Sequence, residues 1–205
     1  MSEPKAVAGT IDEVIQGLFH YKVHDERIKT RSDAFVLLDQ GRLVLVDPLP
    51  FEPAALARLG GVSAIVLGTA SHQRSAWRLR RETKARVYAP AEARGLEEKA
   101  DVSFREGDAL PGGLMAVHAP GPASAHHALH LDRGPGVLLC TDLLVNLGKG
   151  PQFLSDDYQE DEAQGRESGR RLLELKFDLL GFGHGEPILR GGRAALEKLV
   201  GAGGA

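Results

Sequence analysis

The sequence predicts a single α/β domain, and three observations carry that expectation. Two apolar runs, residues 34–38 and 43–46, flank Asp39-Gln40-Gly41-Arg42, where Gly41 supplies the positive φ of a tight β-hairpin. Neither run alternates polar with apolar residues, so both faces of the hairpin are expected to be covered. The apolar run 64–67 then breaks at Gly68 into a polar turn, followed by a helical pattern carrying Trp77 and Leu79. Strand, turn and helix in that order present side chains at the edge of an α/β core. No linker or short-period repeat interrupts the chain. The domain is therefore drawn over residues 14–205, with residues 1–13 as a flexible, poorly anchored lead-in.

In order along the chain, Phe19, Tyr21 and Val23 alternate with His20, Lys22 and His24, a strand with the histidines on its polar face. Residues 52–59 read as a helix with Pro53 in its first turn, stopped by Gly60-Gly61. Residues 75–84 form a helix, 86–88 a short strand and 91–99 another helix. Residues 102–104, 114–118, 127–131 and 137–140 read as short strands between Gly/Pro turns. A polar stretch, 146–165, lacks periodicity and is expected to be a loop. A helix over 166–176 and a strand over 177–181 follow. The last helix carries Ala195, Leu196, Leu199 and Val200 at helical spacing and stops at Gly201.

Composition narrows the function classes. The chain has 205 residues, 42% of them hydrophobic, and a net charge of −3, which speaks against a general nucleic-acid binder. Arg74, Arg78, Arg80, Arg81, Lys84 and Arg86 make one segment locally basic, read as a solvated face that the acidic stretch 156–162 could neutralise. No run of 18 apolar residues predicts a membrane span. The first five residues have neither a basic nor an apolar signal region, and Cys140 is the lone cysteine, inside an apolar run. Cytoplasm is the expected compartment and a buried structural thiol the expected role of Cys140. A small molecule is the partner class left open; the oligomeric state is not set.

Four blocks of residues carry a resemblance. Thr69-Ala70-Ser71-His72-Gln73-Arg74-Ser75 follows a strand and is similar to the T-H-x-H-x-D-H turn of the metallo-β-lactamase fold superfamily. Thr69 and His72 match, while Ala70, Arg74 and Ser75 replace His, Asp and His. His118-Ala119-Pro120-Gly121-Pro122 resembles the h-T-P-G-H block, with Pro122 for the ligand histidine. Leu139-Cys140-Thr141-Asp142 resembles the block ending in G-D, with Thr141 for Gly and Asp142 intact. Residues 177–185 match the closing strand and G-H-G turn around His184. Asp47, ahead of Pro48, resembles the early Asp that orients the metal turn; a plain strand-ending Asp is the other reading.

The resemblance implies an αββα sandwich, two mixed β-sheets packed face to face with helices outside, and a site built from the turns at His72, Pro122, Asp142 and His184. Of the family's ligand positions only His72, Asp142 and His184 survive, so a dinuclear zinc site is not expected. Arg74 stands where an Asp ligand would be. Either it pairs with Asp142, which otherwise lacks a partner, or it points to solvent. His126 or His127 could supply a missing ligand, or be one solvated and one hydrogen-bonded histidine.

Two functions follow. In the first, no metal is retained and the domain binds a small molecule or another protein. In the second, it is a hydrolase of a small ester, lactone or thioester. That hydrolase would use one zinc or other divalent ion on His72, Asp142, His184 and perhaps His126 or His127. Without metal, it would use His72 or His184 as base beside Arg74.

Overall fold

The unalternating apolar runs become strands covered on both sides, because three apolar layers lie between four layers of structure. The computed structural model describes residues 3–57 and 59–201. The first sheet runs in order β1 (Asp12–Ile15), β2 (Leu18–Asp25), β3 (Thr30–Asp39), β4 (Arg42–Val46), β5 (Gly61–Val66), β6 (Arg86–Pro90) and β7 (Val102–Phe104). It is antiparallel up to β4 and parallel from β4 to β7. The second sheet comprises β8 (Leu114–His118), β9 (His127–Leu131), β10 (Val137–Leu139) and β13 (Leu179–Gly181), in the order β13-β10-β9-β8. Between β10 and β13 lie a small ribbon, β11 (Leu144–Val145) with β12 (Gln152–Phe153), and helix α3 (Glu162–Leu172). Helices α1 (Pro53–Ala57), α2 (Ala76–Thr83) and α4 (Gly192–Gly201) complete the fold.

The period-2 geometry of strands assigns each residue to a layer. Phe35, Leu37, Val44 and Val46 face inward and meet Leu129, Leu131, Val137 and Leu139 of the second sheet. Their neighbours Ala34, Val36, Leu43 and Leu45 face outward and are covered by Leu56 of α1 and Trp77 and Leu79 of α2. On the far side Ala128, Leu138 and Leu180 pack under Leu172 of α3 and Leu196 of α4. This is the expected αββα sandwich. The hairpin turns at Gln40-Gly41, both with positive φ, with Asp39 opposite Arg42.

Several expectations are corrected. Residues 91–99 are not helical. Gly95 takes φ +80, and the segment's backbone bonds outward to Gln73: Gln73 Nε2 donates to Gly95 O at 3.1 Å and Gln73 Oε1 accepts the Glu97 N–H at 2.6 Å. His24 is outward-facing, but His20 is buried, because Asp33 on the neighbouring strand offers Oδ1 at 2.7 Å from its Nε2. The stretch 146–165 is not all loop: it contains β12 and the start of α3, capped by Asp161, whose side chain accepts from Gln164 N. Nor are residues 3–13 loose. Ala8 is buried and bonded to Pro50 and Glu52, Glu3 pairs with Arg78, and β1 joins the sheet. The basic helix is neutralised by Glu3, Glu82, Glu98 and Asp101 rather than by residues 156–162. Among the described residues no helix is long and apolar enough to cross a membrane.

Candidate metal centre

The turns after β5, β10 and β13 bring three side chains to one point. One ligating atom from each of His72, Asp142 and His184 lies within 4.8 Å of the others. His72 Nε2 is 2.9 Å and His184 Nε2 3.4 Å from the same oxygen, Asp142 Oδ1. The two rings meet edge to face with centroids 5.4 Å apart.

The partners on the far side of each ring fix what these atoms are. His184 Nδ1 lies 2.8 Å from the carbonyl oxygen of Arg31, which can only accept, so Nδ1 carries the proton. His72 Nδ1 donates in the same way to Asp47 Oδ2 at 2.9 Å. In the neutral rings both Nε2 atoms therefore offer lone pairs toward a carboxylate oxygen. His72 Nε2 and Asp142 Oδ1 are buried, and neither makes an aligned hydrogen bond. Lone pairs facing lone pairs in a buried site repel unless a proton or a cation lies between them. Burial and the Arg74 charge work against protonating His72, but Asp142 and Asp47 outweigh them and raise its pKa. Burial likewise works against ionising Asp142, yet His72 and His184 hold its carboxyl well below the usual range.

Supporting bonds hold this geometry. Asp47 Oδ1 accepts the Gly68 N–H at 2.9 Å, so one carboxylate ties the turn and aims His72, the orienting role that the resemblance implied. Ser71 Oγ donates to Asp142 Oδ2 at 2.9 Å. Gly183 has to lack a side chain, since a Cβ there would overlap His72 Cε1. Asp47, Arg74 and Thr141 all take φ between 31° and 48°; such left-handed backbone in non-glycine residues gathers at functional sites.

Arg74 corrects one expectation. It is buried rather than solvent-exposed, and it does not pair with Asp142. Its Nη1 donates to Asp33 O at 2.8 Å and Asp47 O at 3.2 Å, and its Nη2 to Gly183 O at 3.2 Å. One carbonyl within β3 and two just past the ends of β4 and β13 converge at that point, and a guanidinium fork satisfies all three at once. Burial lowers its pKa, opposed by Asp47, Asp142 and Asp33.

The two adjacent histidines go elsewhere. His126 stands behind Asp142: its Nδ1 donates to Ala119 O at 2.7 Å, and its Nε2 accepts the Asp142 N–H at 3.2 Å and lies against the Thr141 hydroxyl. Both nitrogens are used, and burial pushes its pKa down to about 4. It positions Asp142 and offers no lone pair. His127 packs against Phe104 and His118 instead, with its Nδ1 donating to Ala125 O at 3.0 Å. Cys140 is buried, which raises its thiol pKa.

Sequence reasoning missed Asp33. It bonds His20 and Arg31 and accepts the Gly185 N–H at 2.7 Å, fixing the turn that carries His184. Its signal was a carboxylate one residue ahead of an apolar run.

The family model of the metallo-β-lactamase superfamily matches residues 16–202. The chain belongs to the metallo-β-lactamase superfamily. No curated protein matches it. Among solved structures it is similar to a metallo-β-lactamase family protein from Thermus thermophilus. They share 22% identity over 93% of this chain and 80% of that one, with TM-score 0.70. FIM-1 from Pseudomonas aeruginosa, in its mono-zinc form, is 15% identical over 98% of both chains, TM-score 0.76. A metallo-β-lactamase from Erythrobacter litoralis is 13% identical over 94% and 96%, TM-score 0.75. At these identities the likeness speaks for the superfamily fold. Within that fold, the triad lies in a cleft of about 1220 Å³ also lined by Ser32, Ser71 and Arg74; Pro122 is not among its lining residues.

Proposed function

We propose that this superfamily member holds one divalent metal ion on His72, Asp142 and His184 and hydrolyses a small ester, lactone or thioester. The observation that carries the reading is the convergence of the Nε2 atoms of His72 and His184 on Asp142 Oδ1, with His72 Nε2 and Asp142 Oδ1 buried and without an aligned hydrogen bond. Two imidazoles and a carboxylate suit one borderline cation such as zinc, and each ligand has the outer partner such ligands ordinarily have. Two ions would need further ligands, and the described residues offer no other such cluster. An ion held there would supply Lewis acidity and bring the pKa of water toward about 7.

The chain's own residues do the rest. Asp47 and the Arg31 carbonyl hold the two rings in the ligating tautomer. Ser71 holds Asp142 Oδ2, leaving Oδ1 to face the histidines. Arg74 adds a fixed positive charge to the cleft wall, which favours a developing oxyanion.

Arg74 also favours a second reading, since a buried guanidinium beside the triad opposes any cation. In that reading the domain binds a small molecule without metal chemistry. The deciding experiment measures metal content after purification without chelator, together with ester, lactone and thioester turnover before and after chelation. Turnover that is lost on chelation and restored by the ion supports the hydrolase. Absence of both supports the binding domain.

A further inference from the structure

Large apolar side chains exposed on a folded surface are informative when they cluster. Among the described residues there are five, Val7, Ile28, Leu147, Tyr158 and Leu189. Three of these, Ile28 (50% exposed), Leu147 (55%) and Tyr158 (74%), line the cleft that holds the triad. They come from separate parts of the chain: Ile28 from the β2–β3 turn, Leu147 and Tyr158 from the segment between β11 and α3. Phe153 of β12 and Leu199 of α4 line the same cleft. Arg166 lays its guanidinium 5.3 Å from the centroid of the Phe153 ring. These apolar side chains, called the trough below, line the same cleft as His72, Asp142 and His184.

We propose that this trough takes the hydrocarbon part of the substrate, so that the compound turned over is an acyl ester or thioester with an aliphatic chain of several carbons. Three features support this occupant over others. The trough and the triad share one cavity, so a chain lying in the first places its carbonyl at the second. The cleft, at about 1220 Å³, exceeds what an acetyl-sized compound would fill. Apolar side chains from separate segments, Ile28, Leu147, Phe153, Tyr158 and Leu199, contribute to its lining, with charged residues such as Arg27 and Asp156 interspersed. The inference rests on the hydrolase reading for the reacting group, but not for the trough itself.

The test separates the two. Calorimetry of the full chain as purified, with the straight-chain carboxylates from butyrate to decanoate, reads the trough without catalysis. Affinity should rise about two- to threefold per methylene, somewhat less than full burial would give. The double variant Leu147→Ser, Tyr158→Ser should flatten that slope, and Leu189→Ser, outside the cleft, should leave it. With zinc-loaded protein, KM for thioesters of the same chain lengths should fall in the same order. A flat series in both assays overturns the proposal. So does sedimentation showing a dimer that buries Leu147 and Tyr158, which would make the patch a surface for a second copy. Carboxylates that bind with the expected slope, with no turnover under any metal, would leave the trough standing and remove the hydrolase. Turnover without chain-length dependence would do the reverse.

Discussion

Asp47 and His72 form a fixed pair at the heart of the site. The carboxylate accepts from His72 Nδ1 at 2.9 Å through Oδ2 and from the Gly68 amide at 2.9 Å through Oδ1. One side chain thus sets both the shape of the turn and the tautomer of the ring. Asp47→Asn tests this cleanly, because Asn tolerates the left-handed φ of 48° at this position. An amide cannot accept from both partners equally well. Divalent-metal affinity should fall roughly 10–100-fold, read by competition with a chromophoric chelator, while the melting temperature changes little. Unchanged affinity would mean that Asp47 does not orient His72.

Arg74 joins the Asp33 carbonyl of β3 and the Asp47 carbonyl just after β4 to the Gly183 carbonyl. Arg74→Ala leaves three buried acceptors unmet and should cost about 2–4 kcal/mol in denaturant unfolding. Arg74→Lys, which keeps the charge and part of the bonding, should fall between. A neutral Arg74→Ala would show that these bonds are incidental. Rebuilding the family's ligand here as Arg74→Asp should be worse than alanine, since it aims a carboxylate at three carbonyl oxygens.

The Gly183 position admits no side chain beside His72. His72 is gripped by Asp47 on one side and faces Asp142 on the other, so it has nowhere to move. Gly183→Ala should therefore weaken metal binding by roughly 10–100-fold or more and lower the melting temperature. Retention of full affinity would contradict the placement of this turn.

His126 should stay neutral down to low pH. Imidazole NMR should find its folded pKa at about 4, against 6.5 for the unfolded chain. Between those values the unfolded chain binds a proton that the folded one refuses. This group's contribution to stability is therefore complete above about pH 6.5 and lost as pH falls toward 4. Titration of His126 near 6.5 would contradict its role behind Asp142.

How much of this was legible in the sequence depends on what each residue answers to. The hairpin and the double coverage of its strands follow from apolar runs that local pattern exposes, and the structure bears them out. His72, Asp142 and His184 were found through motif blocks, because turns after strands keep their order in the chain. Arg74 was not legible: its partners are three main-chain carbonyls from distant segments, and a carbonyl leaves no mark in a sequence. His20 was placed outward by alternation, since the Asp33 carboxylate that justifies burying it belongs to the next strand. Residues 91–99 show helical composition, yet the Gln73 side chain captures their backbone. In each case a long-range polar partner overrode a local pattern.

The central claim is that His72, Asp142 and His184 together hold one ion. Calorimetric titration of chelator-stripped protein with zinc tests it most directly. The account predicts one equivalent per chain, with binding lost in His184→Ala and in Asp142→Asn. No binding, two equivalents, or one equivalent that survives both substitutions would contradict it.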